Sequence, residues 1–400
     1  MQTITIVSSW FGPDTVGGAE TQARQLAQAI QGQGAAVEVW TTTGRDSFAP
    51  LTAYYREGTD SLDGIPIRRF PLTPPASDPY IPSVVVQRAH MLPTLPDFPD
   101  HERRLLASLV SSDALLEAIA TKPTGRQFLF MPYPFPTSFW GTLLAGERAN
   151  LLPCLHDEPY ARYSTYRWMF RHARRILFNS AAERDLARWL YDLTDDQVVV
   201  AGEGIDLTSR GDGARFRERH QLHGPLLLYV GRRDESKNIP LLLSYIREYW
   251  ARRGPSFTLM LIGRDELDLP PALEEVVLDL GYCDAAEKHD AYAAADVFIN
   301  PSTYESFSIV LMEAWLQETA ALVHADCAVT REAAETSQGG LSFHDFGEFA
   351  AALDLLLANV SLRQALGRNG RTYVLDTCRW ETVAQRTITA LLSNIDEVLV

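Results

Sequence analysis

The stretch Ala295-Asp296-Val297-Phe298-Ile299-Asn300-Pro301-Ser302-Thr303-Tyr304-Glu305-Ser306-Phe307-Ser308-Ile309-Val310-Leu311-Met312-Glu313-Ala314 decides how this chain is read. Residues 295–300 are a short apolar run that ends in polar turn chemistry, the pattern of a buried strand. After the turn, Val310, Leu311, Ala314 and Trp315 recur at helical spacing. Glu305 is therefore expected in the strand-to-helix loop, and Glu313 about two turns into the helix. The amides of Ser306, Phe307, Ser308 and Ile309 are then orphan donors at a helix N-terminus, an anion cradle. An anion cradle flanked by two carboxylates suits a ligand with a diphosphate in the middle and hydroxyl-bearing sugars at both ends. That is the constitution of a nucleotide-sugar.

Outward from this stretch, strand-like and helix-like segments alternate along the chain, as parallel βαβ units do. In the first half, strands are expected at 3–9, 37–40, 128–131, 176–179 and 198–201. The first helix is expected at 19–31, with Ala23, Leu26, Ala27 and Ile30 on one face. In the second half, strands are expected at 226–231, 258–262, 276–280, 297–300 and 321–323. Residues 71–99 carry eight prolines and little periodicity, an irregular excursion of the kind that makes lids and acceptor loops. The polar, Gly-rich segment 208–224 reads as a linker. A chain of 400 residues exceeds one compact core and suits two. The predicted architecture is α/β, with two doubly wound, Rossmann-like domains at 1–207 and 225–379 facing each other across a cleft. Ligands are expected at the carboxyl ends of the strands.

Composition narrows the function. With 46 % apolar and 22 % charged residues the chain is of the soluble globular kind, and its net charge of −15 speaks against a nucleic-acid partner. Cys154, Cys283, Cys327 and Cys378 are scattered and make neither a zinc site nor a disulfide framework, so a reducing cytoplasm is expected. The sequence enters directly on Thr3-Ile4-Thr5-Ile6-Val7 with no basic leader, and no apolar run approaches the roughly 20 residues that span a bilayer. One segment stands apart: Arg162-Tyr163, Arg167-Trp168, Arg171 and Arg174-Arg175 are basic and aromatic on an acidic protein. A solvated face over buried aromatics is the favoured reading; the other is a peripheral contact with the inner membrane face or an anionic lipid carrier.

Further motifs carry chemistry. Gly17-Gly18-Ala19-Glu20 follows the first strand and opens the first helix, where glycine lets a backbone approach a phosphate or sugar closely. A flexible turn before a first-turn glutamate reads equally well. In Val230-Gly231-Arg232-Arg233-Asp234-Glu235-Ser236-Lys237-Asn238, Arg232 and Lys237 are placed to converge from one loop and to stabilise a departing diphosphate; the bland alternative is a solvated charged loop. His156-Asp157-Glu158 follows an apolar run, so His156 is expected at a strand's end, touching sugar or acceptor or simply hydrogen-bonded. Tyr133 and Phe135, among three prolines, either stack on a sugar or wall the cleft, and Asp157 joins them as acceptor-side candidates. No spacing suits a metal, and none of Gly32-x-Gly34, Gly202-x-Gly204 or Gly211-x-Gly213 completes a dinucleotide fingerprint. A Gly-x-Ser-x-Gly elbow and a P-loop are also missing from the sequence.

Taken in order, these residues resemble the retaining glycosyltransferases of family 4, which have the GT-B fold. The resemblance rests on Gly17-Gly18, His156, Gly204-Ile205-Asp206, Gly231-Arg232 with Lys237-Asn238, and Gly281-Tyr282. It continues through Tyr292, Ala295-Asp296-Val297, Pro301-Ser302, the Glu305/Glu313 pair and Trp380-Glu381. It implies that Arg232 and Lys237 bind the donor diphosphate, and that Glu305 and the 306–309 amides hold the sugar and phosphate. Glu313 would bind the ribose, Gly281-Tyr282 the base through the backbone, Gly18 the diphosphate and His156 the sugar's hydroxymethyl group. Segment 380–400, with a helix at about 381–398, would return to the first domain. The implied reaction moves a hexose, from UDP-hexose first and GDP-mannose next, to a saccharide or lipid-linked acceptor in polysaccharide or glycolipid biosynthesis. It would need no metal or cofactor. Ser308, where the family commonly has Gly, and the glycine-poor stretch 326–332 depart from the pattern and bear on donor identity. A nucleotide-sugar epimerase, a phosphorylase and a silent sugar-binding subunit on the same fold are the rival readings.

Overall fold

The computed structural model describes residues 2–393 except Phe48, Ser77, 89–94, 122–124, Asp234, Asp265, Glu266 and Asp268. It divides into two compact units, one running to Gly204 and resuming at Trp380, the other Ile205–Arg379.

The first unit is built on an eight-stranded sheet of order β3-β4-β2-β1-β5-β6-β7-β8. Its strands are β1 (Thr3–Ser8), β2 (Val37–Thr42), β3 (Gly58–Leu62), β4 (Ile65–Phe70), β5 (Arg126–Met131), β6 (Ala149–Leu151), β7 (Arg175–Phe178) and β8 (Val198–Val200). All neighbours pair in parallel except β3 with β4. Strand period decides which core each side chain joins. Ile4, Ile6, Leu129 and Met131 pack beneath helix Gly18–Gly32, while Val7, Phe128 and Phe130 face the aromatic core on the other side. Helix Trp380–Leu392 lies on the Gly18–Gly32 side, where Val383, Ala384 and Leu391 complete the same core. Burying each such side chain stabilises the fold by about 1.5–3 kcal/mol.

The second unit carries a six-stranded, all-parallel sheet of order β11-β10-β9-β12-β13-β14. Its strands are β9 (Leu226–Val230), β10 (Thr258–Ile262), β11 (Val277–Gly281), β12 (Val297–Asn300), β13 (Ala320–His324) and β14 (Gly340–Phe343). Leu226, Leu228, Val230, Met260, Ile262 and Phe298 fill one face; Leu227, Tyr229, Leu259, Leu261, Val297 and Ile299 fill the other. Both faces are covered, which is why these strands read as continuous apolar runs rather than alternating ones.

Several expectations change here. The hairpin β3–β4 and the edge strand β14 were not foreseen, and the strand expected to end at His156 is β6, which stops at Leu151 and leaves His156 in the loop beyond it. Within 71–99 a short helix, Ser83–Gln87, forms, and Thr73 bridges to Ser111. Segment 208–224 is folded: Asp212 caps helix Gly213–Arg219, whose Arg215 and Arg217 pair with Asp290 and Asp296 at 2.6 and 2.8 Å. A β-carbon on Gly213 would collide with the Ala293 carbonyl, so that glycine permits close packing rather than flexibility. The helix expected at 381–398 runs Trp380–Leu392, and residues 394–398 lie outside the described residues. Among the described residues no single helix is long and apolar enough to cross a membrane.

The basic-aromatic segment resolves into pairs. Helix Ser164–His172 buries Tyr166, Trp168, Met169 and Phe170. Arg162 pairs with Asp157 and Arg171 with Asp192, both at 2.6 Å. Arg174 donates to the Leu391 and Ser393 carbonyls at 3.0 and 2.9 Å, tying down the end of helix Trp380–Leu392. Carboxylates thus compensate Arg162 and Arg171 locally, while Arg174 serves the fold.

Candidate active site

The decisive stretch folds as β12, a turn closed by its own polar groups, and helix Ile309–Leu316. Asn300 accepts the Ser302 amide at 3.0 Å and donates to Ser308 Oγ at 2.9 Å. Ser308 is left-handed, φ 73°, so the helix begins one residue later and Glu313 sits just over one turn in, not two. A side chain in that conformation costs about 1–2 kcal/mol, which the buried Asn300 bond helps offset. Leu311 and Met312 donate their amides to the Ser308 carbonyl at 3.1 and 3.3 Å, so the orphan amides of the helix start are those of Ile309 and Val310.

Strands β9 and β12 are neighbours, so the loops leaving them meet. Lys237, at the end of the short turn Glu235–Lys237, holds Glu305 Oε1 at 2.8 Å, with the Tyr304 carbonyl at 3.4 Å. Asn238, left-handed at φ 59°, donates to the Pro301 carbonyl at 3.1 Å and stitches the two loops together. Arg232 stands exposed at the strand end, while Arg233 turns inward and pairs with Asp279 of β11. Phe307 is buried, and Ile309 packs against the same core.

Glu313 has its own cation. Lys288 and Tyr292, four apart on helix Ala285–Ala294, hold its two oxygens at 2.7 and 3.0 Å. Burial, reinforced by Glu313, pushes the Tyr292 hydroxyl far above its usual range, so it stays a neutral donor. Lys288 was not singled out from the sequence; its spacing of four from Tyr292 was the available signal. At the end of β11, Tyr282 is 63 % exposed and the Arg264 guanidinium lies 4.0 Å from its ring centre. Cys327 caps helix Ala328–Ser337 in the glycine-poor stretch, its thiol pushed up by burial and then by Glu305. Among the described residues, no group of three or more His, Cys, Asp and Glu side chains is placed to hold a metal.

The first unit brings a different set together. Gly17 has φ 144°, a conformation that favours glycine, and a β-carbon there would collide with Glu20 Oε2. The protein's own carboxylate therefore covers Gly17, whereas Gly18 has open space where a side chain would be. His156 Nδ1 is 3.0 Å from Glu158 Oε1, and Glu158 also accepts from Tyr133 at 3.0 Å and Tyr160 at 2.8 Å. Burial works to raise the Glu158 carboxyl, but the bonds from His156, Tyr160 and Tyr133 win and hold it below the usual range. Tyr133 is only 1 % exposed, packed edge-on against Tyr166 and Phe170, so its ring offers no face for a sugar. Phe135 packs edge-on against Trp10, and Asp157 is engaged by Arg162. Glu158, missed in the sequence, is the residue that organises this loop.

Residues 212–373 match the family model of glycosyl transferases group 1. Over 247 residues the chain is 31 % identical to the D-inositol 3-phosphate glycosyltransferase of Frankia alni, covering 56 % of this chain and 58 % of that relative. The chain thus spans less than two thirds of that curated relative's length. In structure it is similar to sucrose-phosphate synthase of Thermosynechococcus elongatus, with TM-score 0.69, 20 % identity and 97 % of each chain covered. It is likewise similar to HepE of Anabaena, solved with UDP and glucose, with TM-score 0.68, 17 % identity and 98 % and 100 % of the two chains covered. At these identities the likeness speaks for the fold: two Rossmann-like, parallel-sheet units of the GT-B kind.

Proposed function

We propose that the chain is a retaining glycosyltransferase that moves a hexose from a nucleotide diphosphate sugar to a hydroxyl of a saccharide or lipid-linked acceptor. The observation that carries this reading is the Lys237–Glu305 pair, 2.8 Å apart, beside the first-turn amides of helix Ile309–Leu316. It lies inside the segment that matches the glycosyltransferase model. An ammonium and a set of backbone N–H groups stabilise the charge that develops on a departing diphosphate, and a carboxylate accepts sugar hydroxyls.

In this reading Arg232 and Lys237 take the diphosphate, Glu305 the sugar hydroxyls, Glu313 the ribose and Gly281-Tyr282 the base. Gly18 is assigned to the diphosphate and His156 to the hydroxymethyl group. The sugar's bond to the phosphate oxygen breaks, its bond to the acceptor oxygen forms on the same face, and the departing phosphate oxygen takes the acceptor's proton. Lysine and amides supply the positive charge, so no metal is required. UDP-hexose is the favoured donor, supported by the UDP and glucose bound to HepE; GDP-mannose is next. Location in the cytoplasm, at or near the inner membrane face, accompanies this proposal.

The test is transfer by the purified chain from UDP-glucose and GDP-mannose, with and without EDTA, followed by NMR of the anomeric product. An α-linked product formed in EDTA is the expected result. Release of free sugar alone, interconversion of the donor sugar, or loss of transfer in EDTA would each overturn part of the reading.

A further inference from the structure

We propose that Glu183 is a positioning residue for His156, clamping the backbone on which that histidine stands; this rests on the reading above, in which His156 touches the donor sugar. Glu183 is in the first turn of helix Ala181–Tyr191, where Ser180 caps and the Ser-x-x-Glu spacing is that of a capping box. A capping glutamate ordinarily reaches back only to its own helix start. Here the side chain is buried and each oxygen takes a different segment. Oε2 accepts the Asn179 amide at the end of β7, and Oε1 accepts the Leu155 amide, both at 2.6 Å. Leu155 directly precedes His156, and Cys154 before it is left-handed at φ 52°, so this short segment is held in a conformation that needs an anchor.

The clamp belongs to a buried polar network. Gln22 donates to Asn179 Oδ1 at 2.6 Å and accepts from the Cys154 thiol at 3.3 Å. Gln22 lies on helix Gly18–Gly32, so one network joins the helix that starts at Gly18 to the segment that carries His156. The two first-unit contacts assigned to the donor therefore share a scaffold, and Glu183 is its acidic member.

Capping and clamping make different demands. Glutamine serves a capping box as well as glutamate does. It cannot serve this clamp, because its amide nitrogen has no lone pair for the second N–H, whereas a carboxyl oxygen accepts one whether ionised or protonated. Glu183→Gln is therefore expected to keep the fold and the affinity for UDP, while the turnover number for transfer falls at least tenfold and KM for the donor rises little. Exchange of the Leu155 amide should quicken, and the His156 ring signals should move in NMR. Gln22→Met, similar in volume and further from the cap, should lower turnover several-fold and serves if Glu183→Gln does not fold. Normal turnover and normal Leu155 exchange in the folded variants would overturn the clamp. If the wild-type chain transfers from no nucleotide-sugar, the reaction reading fails by itself. Leu155 exchange and the His156 signals then decide the clamp alone: if they move the clamp stands, and if they do not it falls.

Discussion

The two units treat their enclosed carboxylates in opposite ways. In the second unit the two carboxylates of the candidate site each have a lysine, Lys237 for Glu305 and Lys288 for Glu313, while the buried Asp290 has Arg215. In the first unit Glu158 is held by a histidine and two tyrosine hydroxyls, and Glu183 by backbone amides. An ammonium has three donors and a flexible stem, so it can hold a carboxylate and an arriving phosphate together. Backbone amides cannot be shared in that way, and a carboxylate held by them is a fixed part of the frame. The second unit is thus arranged to exchange partners, the first to hold a shape.

The largest break in that comparison should come from Lys237. Replacing it with alanine leaves Glu305 uncompensated and removes the charge on the diphosphate, and transfer should fall by about 10²–10³. Near-normal turnover with an intact fold would remove Lys237 from the machinery.

Glu183 tests the framing side through pH. Burial pushes its carboxyl up to about 8 against the pull of the Asn179, Leu155 and Ser180 amides. Cys154 faces it directly, with Glu203 and Glu20 near that thiol. The folded chain therefore keeps a proton that the unfolded chain releases above the ordinary value of 4.5. Stability contributed at this site is complete below that value and declines as pH rises toward 8. Urea unfolding of wild type against Glu183→Gln at pH 5, 6.5 and 8 should show the difference shifting against wild type by a few kcal/mol at most. A pH-independent difference would show that Glu183 has the same proton affinity in both states.

Lys288→Ala sharpens the comparison on a smaller scale. Glu313 keeps Tyr292, so the carboxylate remains in place but loses its charge partner, and KM for the donor should rise about tenfold, the worth of one charge-assisted bond. An unchanged KM would make Lys288 an ordinary surface pair. The smallest effect is expected at Ser308. Glycine there relieves the left-handed strain but loses the Asn300 bond, and the net change in stability should stay within about 1 kcal/mol. A larger loss would mean that the Asn300–Ser308 bond, rather than the backbone, sets the start of the helix.

Much of the second unit was legible because its parallel strands are covered on both faces and so appear as apolar runs with sharp ends. Glu305 and Lys237 could be placed because each lies in the loop that leaves a strand, while Glu313 was assigned to the helix that follows but a turn too far in. What escaped detection was of two kinds. Strand β3 is exposed along Gly58–Ser61 and shows no apolar pattern, and β4 offers only the short alternation of Ile65 and Ile67. Glu183, Gln22 and Lys288 act through partners distant in sequence, as Glu158 does through Tyr133 though not through His156 and Tyr160, and spacing along the chain does not reveal which strand ends a fold will bring together. Tyr133 misled for a related reason: an aromatic among prolines looks like a platform until three other rings are packed around it.

Helix Trp380–Leu392 has a consequence for how the chain is made. Val383, Ala384 and Leu391 belong to the core beneath helix Gly18–Gly32, yet the whole of Ile205–Arg379 intervenes in sequence. The first unit is therefore interrupted by the second, and a ribosome delivers its closing piece only after the inserted unit has been synthesised. Until then the share of that core filled by Val383, Ala384 and Leu391 stays open, and the nascent first half must wait, incomplete, while the later half is free to fold before it.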